Sequence, residues 1–559
     1  MSETRGPQQL DSLFERRLGR ARFFRLLGAG IGLSLVPTSL IPALGGVSSA
    51  RTNAATTTAR EPRIGADTTI DINARKAHPL SPGFSGFNNA DLEFAISFRD
   101  PHYQRIAASL EPGWYRFSGG AVSNVYDWQA GDVPTEWVNQ FTGNNRSRFQ
   151  REQKLVRGRG GVRFDDYLQF AAATGARTMI CFNAFTDTPK SAGKMARYVK
   201  EHDVPVIAWE LANEAHLFPS WFSGGADYVN KMRPYAEAIR AVIPGAIISL
   251  AVSMVQSPNV GWDEALANYP DRYWDAVSVH HYAQVAPTFE EAVLRANYAL
   301  QHKTDQYYSS YLLPKLGGDT LALLSEFHSG FRDSPICGTL YDAIYTAEYI
   351  ARESAVRNVK HVGLQLLYSG SLRNGAIQAA RDHEQDVIDA YEAGTTIDTT
   401  QLDFGFFLSP QGLAMRLVND AVNDSSAVLA TTLEGPGTVA TDTPAGIGRM
   451  PALHAQAYRG GDGKKAFLII TNKSKTVHAA RLRLKGKPVR GPFQIAYITG
   501  DNLRLANTET QQHVGIKTAT SQDIVHVPRY SIVRVAWNPR GHVRNRASGR
   551  IVDKATTAG

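Results

Sequence analysis

The chain has 559 residues, 43% of them hydrophobic, which suffices for a large core and excludes a globally disordered protein. That length exceeds one ordinary domain and points to two folded units plus tails. The formal net charge of +8 is partly terminal, so it permits a polyanionic substrate without requiring one, and no nucleic-acid partner is expected. The two cysteines, Cys181 and Cys337, form no CxxC pair, which excludes a zinc knuckle or a dithiol redox motif; their spacing does not decide whether they pair.

Residues 1–50 carry a basic cluster (Arg16, Arg17, Arg20, Arg22, Arg25), an apolar stretch from Phe23 to Leu44 broken by Gly and Pro, and the small residues Ser48-Ser49-Ala50. That order is a signal peptide, and Arg16-Arg17 resembles a twin-arginine signal. The Pro and Gly breaks argue against a stable membrane span. The expectation is an exported chain with a flexible leader over 51–63.

Residues 64–80 hold one strand, Thr68–Ile72. From 81 to 400, eight near-continuous apolar runs follow: Phe84–Asn89, Trp114–Gly120, Arg177–Phe185, Val206–Asn213, Ala246–Met254, Ala276–Tyr282, Leu321–Phe327 and Val362–Ser369. Such runs mark strands buried on both faces, as in parallel sheets. Helical patterns alternate with them, for example Tyr228, Met232, Tyr235, Ile239 and Leu340, Ile344, Ala347, Ala351. Eight units predict an α/β fold, a (β/α)8 TIM barrel, with an open doubly wound sheet as the competing arrangement. The segment from Tyr126 to Arg163 is long, polar and Arg-rich; it reads either as a rim of the catalytic face or as a disordered surface loop. A connecting helix is expected over 401–424. From 425 to 539 the pattern becomes all-β, with runs at Ala466–Thr471, Ala480–Leu484, Phe493–Ile498, Ile524–Val527 and Ile532–Trp537. The strand near residue 70 completes this accessory β-sandwich, which is therefore built from both chain ends. Residues 540–559 form a basic tail expected to be disordered.

A barrel places its chemistry at the C-terminal strand ends. The fourth run ends Asn213-Glu214, the seventh Ser325-Glu326-Phe327, the sixth His280-His281-Tyr282, and the second contains Arg116. Two carboxylates on nearly opposite strands, converging to about 5–5.5 Å, are what a retaining glycosidase needs. Glu326 is read as the nucleophile, kept ionised by Tyr282 and Arg116, and Glu214 as the acid/base with its pKa raised by the low-dielectric site. Asn213 is placed to donate to a sugar 2-hydroxyl. Neighbours on a strand face opposite ways, so Asn213 and Glu214 reach one site only if the strand end bends. His281 is read as lining the substrate rather than binding metal. No metal, nucleotide or flavin signature appears, so no cofactor is expected.

These strand ends resemble clan A glycoside hydrolases, and within the clan family 79, the heparanase and bacterial β-glucuronidase family. Four stretches carry the resemblance: Ser81-Pro82-Gly83-Phe84 with Asn88-Asn89, Trp114-Tyr115-Arg116-Phe117-Ser118-Gly119-Gly120, Phe182-Asn183-Ala184-Phe185, and Leu211 through Phe218 around Asn213-Glu214. The resemblance implies a carbohydrate substrate, β-glucuronides, with Asn88 in the binding site and Tyr368, Gly330, Arg332 and Arg373 as candidates for holding a uronate. Ala215 stands where the family usually has Pro. The alternatives are an arabinofuranosidase or xylosidase of the same clan, and a carbohydrate-binding surface protein with an inactive barrel.

Overall fold

The computed structural model describes residues 67–539, apart from 256, 332–333, 371–372, 436 and 444. The expectations for 1–50, 51–63 and 540–559, and for Arg332, lie outside the described residues.

The first strand, β1 (Thr68–Pro79), is longer than its apolar run. Eight parallel strands then close on themselves: β2 (Ser85–Asn88), β3 (Trp114–Phe117), β4 (Arg177–Phe182), β5 (Val206–Leu211), β6 (Ile248–Ala251), β7 (Ala276–Tyr282), β8 (Leu321–His328) and β9 (Val359–Leu364). The last pairs with the first, Ser85 opposite Val362 and Phe87 opposite Leu364, so the sheet has no edge and the open doubly wound alternative is ruled out.

Alternation along these strands stacks the interior in layers. At the floor, Trp114, Met179, Ala208, Ala276 and Leu323 form a closed apolar plug. Gly86 and Gly363 make room for it: a Cβ at either would lie 2.4–2.7 Å or 2.6 Å from Trp114. Two residues further along the same strands the inward side chains become Arg116, Cys181, Glu210 and Ser278, a polar layer above the plug.

The accessory domain is a ten-stranded, mostly antiparallel sheet. In it β1 lies antiparallel to Ser425–Glu434 and parallel to His478–Leu484, so the barrel is inserted between two parts of the β domain. Ile70 and Ile72 join Leu468, Ile470, Leu482, Val533 and Val535 in one apolar core. The helices Leu340–Ser354 and Pro410–Val422 pack against each other and against this sheet, coupling the two domains.

The Tyr126–Arg163 segment is not a disordered loop. It contains the helices Thr135–Val138 and Gly143–Gly158, and the longer one packs on the 3-10 turns Asp91–Glu93 and Ala121–Val125 that follow β2 and β3. The longer helix leaves a weak apolar pattern in the sequence because most of its residues are polar or charged: only Phe149, Leu155 and Val156 supply a large apolar side chain to the core. Cys181 and Cys337 are both buried and are not joined in a disulfide. No helix of the described residues is long and apolar enough to cross a membrane.

Candidate active site

Arg116 organises the barrel mouth. Alternation from Trp114 turns its side chain inward, where it is fully buried. Its Nε and Nη2 clamp Glu210 at 3.0 and 2.7 Å, Nη1 donates to Glu326 Oε1 at 2.8 Å and to Asn88 Oδ1 at 2.9 Å, and Nη2 also donates to Asn213 Oδ1 at 2.7 Å. A buried guanidinium costs several kcal/mol unless paired, and here two carboxylates and two amides pair it.

Glu326 points inward because β8 carries an extra residue. Ser278 on β7 pairs with Leu323, but His280 pairs with Glu326, so two steps on β7 match three on β8. This bulge reverses the alternation that would have sent Glu326 outward, the re-aiming that bulges perform beside active sites. Besides Arg116, Glu326 accepts from Tyr282 Oη and, at 3.4 Å, from Asn88 Nδ2.

Glu214 reaches the same space through a different distortion. Ala212 and Glu214 both adopt left-handed backbone, at φ +71° and +48°, a conformation that costs a non-glycine residue on the order of 1 kcal/mol. This is the bend that strict alternation lacked. Asn124 stabilises it: its side chain donates to Asn213 O and accepts from Asn213 N, each at 3.0 Å.

Between the two carboxylates sits His280. Its Nδ1 is 2.9 Å from Glu214 Oε1 and 3.5 Å from Glu326 Oε2, and one polar atom from each of the three residues lies within 4.8 Å of the others. These three could also surround a cation, but the Arg116 charge already fixed on Glu326 works against a second positive centre there.

The protonation pattern differs from the expectation. Burial opposes the charge of Glu214, yet the hydrogen bond and charge of His280 outweigh it and hold Glu214 down to about 2. Burial pushes Glu326 up, with His280 and Arg116 pulling against it and the Glu214 charge adding to it. His280 is raised: burial disfavours its charge, but Glu326 and Glu214 more than restore it. The proton expected on Glu214 is therefore held on the imidazole one hydrogen bond away. Glu210 is lowered because Arg116 overrides its burial.

Asn88, Arg116, Asn213, Glu214, Tyr282 and Glu326 thus come together. His281 does not. It faces out of the barrel, fully buried, with Nδ1 2.9 Å from Tyr349 Oη. Tyr368 also stays away: four residues past β9, it packs edge-on against Phe94, Tyr103, Phe404 and Phe406. The residue that reaches the site from that strand end is Gln365, which accepts from Asn88 Nδ2. His280, Gln365, Glu210 and Asn124 are the functional positions that the strand-end reading missed.

No protein-family model matches the chain, and no curated protein matches it by sequence. Its fold is similar to solved structures. A GH51 arabinofuranosidase from Xanthomonas axonopodis pv. citri superposes with a TM-score of 0.62 at 14% identity, over 85% of this chain and 100% of its own. A family 51 α-L-arabinofuranosidase from Bifidobacterium longum gives 0.61 at 14%, over 85% and 100%. A family 44 xyloglucanase from Paenibacillus polymyxa gives 0.52 at 12%, over 84% and 99%. The likeness spans both domains and establishes the architecture, a TIM barrel with an accessory β-sandwich.

Proposed function

We propose that the chain is a retaining glycoside hydrolase with Glu326 as nucleophile and Glu214 as acid/base. The observation that carries this reading is the approach of the two carboxylates, with an oxygen of each within 4.8 Å of the other, close to the roughly 5–5.5 Å of a double-displacement site.

In the first step a Glu326 oxygen attacks the anomeric carbon as the bond to the leaving oxygen breaks. The imidazolium of His280 passes its proton through the 2.9 Å contact to Glu214, which delivers it to that oxygen, so both groups are deprotonated in the glycosyl-enzyme. Three donors, Arg116, Tyr282 and Asn88, orient the carboxylate of Glu326, and the positive charge developing on the sugar favours its ionised form. In the second step Glu214 takes a proton from water, which attacks the anomeric carbon and releases Glu326. Arg116 occupies Oδ1 of Asn213, which leaves the amide nitrogen for the sugar 2-hydroxyl.

For the sugar, a pentoside reading is favoured: an α-L-arabinofuranoside, or a xyloside. The family 51 neighbours, named as arabinofuranosidases, support it. The packing of Tyr368 among aromatic rings, away from the carboxylates, weighs against the uronate-holding role. The β-glucuronide reading is the second, supported by the four family 79-like stretches, three of which contribute Asn88, Arg116 and Asn213 to the site. The export signal read at residues 1–50 suits either, with a polysaccharide substrate outside the cytoplasm.

A panel of 4-nitrophenyl glycosides, with product anomers followed by NMR, tests both levels. Turnover of arabinofuranoside or xyloside with retained configuration is expected. Turnover of the glucuronide alone would replace the pentoside reading, and inversion or inactivity on every member would remove the retaining-hydrolase reading.

A further inference from the structure

The helix Gly143–Gly158 has five cationic side chains (Arg146, Arg148, Arg151, Lys154, Arg157) and one acid, Glu152. Arg151, Lys154 and Arg157 pair with Glu384, Glu392 and Asp132, away from the catalytic carboxylates. Arg148 is different. Its Nη2 donates to Glu93 Oε1 at 2.7 Å and its Nε to Glu152 Oε1 at 2.8 Å. Both carboxylates are buried, whereas the arginine side chain is 40% exposed. Glu93 belongs to the turn after β2, and its carboxylate lies against the backbone of Gly120, past the end of β3: a Cβ there would meet Glu93 Oε1 at 2.5 Å. The cluster therefore stands on the C-terminal mouth of the barrel. On that mouth Arg148 is near enough to Glu214 for their charges to interact.

We infer that Glu93, Arg148 and Glu152 form a leaving-group subsite that binds the hydroxyls of a neutral sugar. The inference rests on the hydrolase reading and names the substrate class of that site. An acid/base carboxylate protonates the leaving oxygen, so the side chains around it line the leaving group; Glu326, closed in by Arg116, Asn88 and Tyr282, marks the other side of the scissile bond. Two buried carboxylates fix one edge of the Arg148 guanidinium, and no hydrogen bond within the described chain occupies Nη1. A rotamer held from behind presents its free edge at little entropic cost. A sugar hydroxyl meets that open edge, its oxygen accepting from Nη1, while Glu152 acts from behind by holding the guanidinium in place. Charge balance selects a neutral sugar. Arg148 is already matched by Glu93 and Glu152, so no uncompensated positive charge remains to hold a carboxylate or sulfate on the leaving sugar.

The test compares three substrates sharing the glycone that the enzyme accepts. They are its glycosyl fluoride, its disaccharide with a neutral pyranose as leaving group, and that disaccharide carrying a C6 carboxylate on the leaving sugar. For Arg148→Ala, kcat/KM on the neutral disaccharide is expected to fall at least about tenfold further than on the fluoride, with a smaller differential loss for Glu152→Gln. Wild type should prefer the neutral over the acidic disaccharide. Should Arg148→Ala fail to fold, Arg148→Lys, which keeps the charge and loses the fork, should show the same differential in reduced form. Equal losses on disaccharide and fluoride, or a wild-type preference for the acidic disaccharide, overturn the subsite alone. A wild type inert toward its fluoride overturns the hydrolase reading and the subsite with it.

Discussion

Two buried clusters of charge in this molecule have opposite characters. Where the barrel meets the sandwich, Glu348 on the helix Leu340–Ser354 is fully buried and accepts from Lys473 Nζ, from Thr471 Oγ1 at 2.8 Å, and from Arg352 at 2.8 and 3.0 Å. One carboxylate has all its partners, and although burial disfavours its charge, Lys473 and Arg352 hold it well below the usual carboxylate range. At the barrel mouth, three carboxylates share Arg116 and the imidazole of His280, and the pairing is unequal: Arg116 gives Glu210 a two-pronged clamp and Glu326 one prong, while among the described residues Glu214 is bonded to His280; burial holds the neighbouring His216 down to about 4. The satisfied cluster can only hold the domains together. The under-supplied one divides a proton among neighbours and is poised to pass it on.

Mutations should separate the two. The largest expected effect is at the mouth: Glu326→Ala should lower kcat on the order of 10⁴-fold in a chain that still folds, because Glu210 continues to clamp Arg116. A rate close to wild type would support the inactive-barrel alternative or another nucleophile. Next, Lys473→Met should leave Glu348 short of its closest cation and cost about 3–5 kcal/mol of stability, read by denaturant unfolding, while kcat of the folded fraction stays unchanged. A catalytic defect without a stability loss would erase the distinction between the clusters.

The smallest effect concerns pH. On the proposed mechanism Glu326 must be ionised to attack, and its raised pKa means that activity is lost as pH falls through a value above 4.5. The proton donor must be loaded, and the raised pKa of His280 means that activity is lost as pH rises through a value above 6.5. The kcat/KM profile should be a bell between these limbs. In His280→Gln the proton rests on a carboxyl group alone, so the basic limb should move to lower pH. A basic limb that stays in place would show that His280 does not carry the proton.

The barrel was legible because strands buried on both faces read as unbroken apolar runs, and all eight closed strands fall on or overlap the runs found in the sequence. The site was legible where side-chain direction followed from alternation, as for Arg116 two residues after Trp114. His280 was available to the same reasoning. With Tyr282 pointing inward, parity puts His280 inside and His281 outside, so strand alternation alone distinguishes the two histidines. Glu326 and Glu214 are another matter. Each faces the site only because local backbone breaks the alternation, by a bulge in β8 and by left-handed residues at 212 and 214. No residue type announces either feature: no glycine marks the left-handed positions. The inverted proton order follows from the inward position of His280, which holds Glu214 down.

The most direct test of the two-carboxylate account is to trap the glycosyl-enzyme. A 2-deoxy-2-fluoro glycoside of the accepted sugar, with a good leaving group, should slow the second step enough for an adduct to accumulate. Intact-mass measurement followed by peptide mapping should find one sugar esterified to Glu326. Turnover with no adduct, or an adduct on any other side chain, would contradict the assignment.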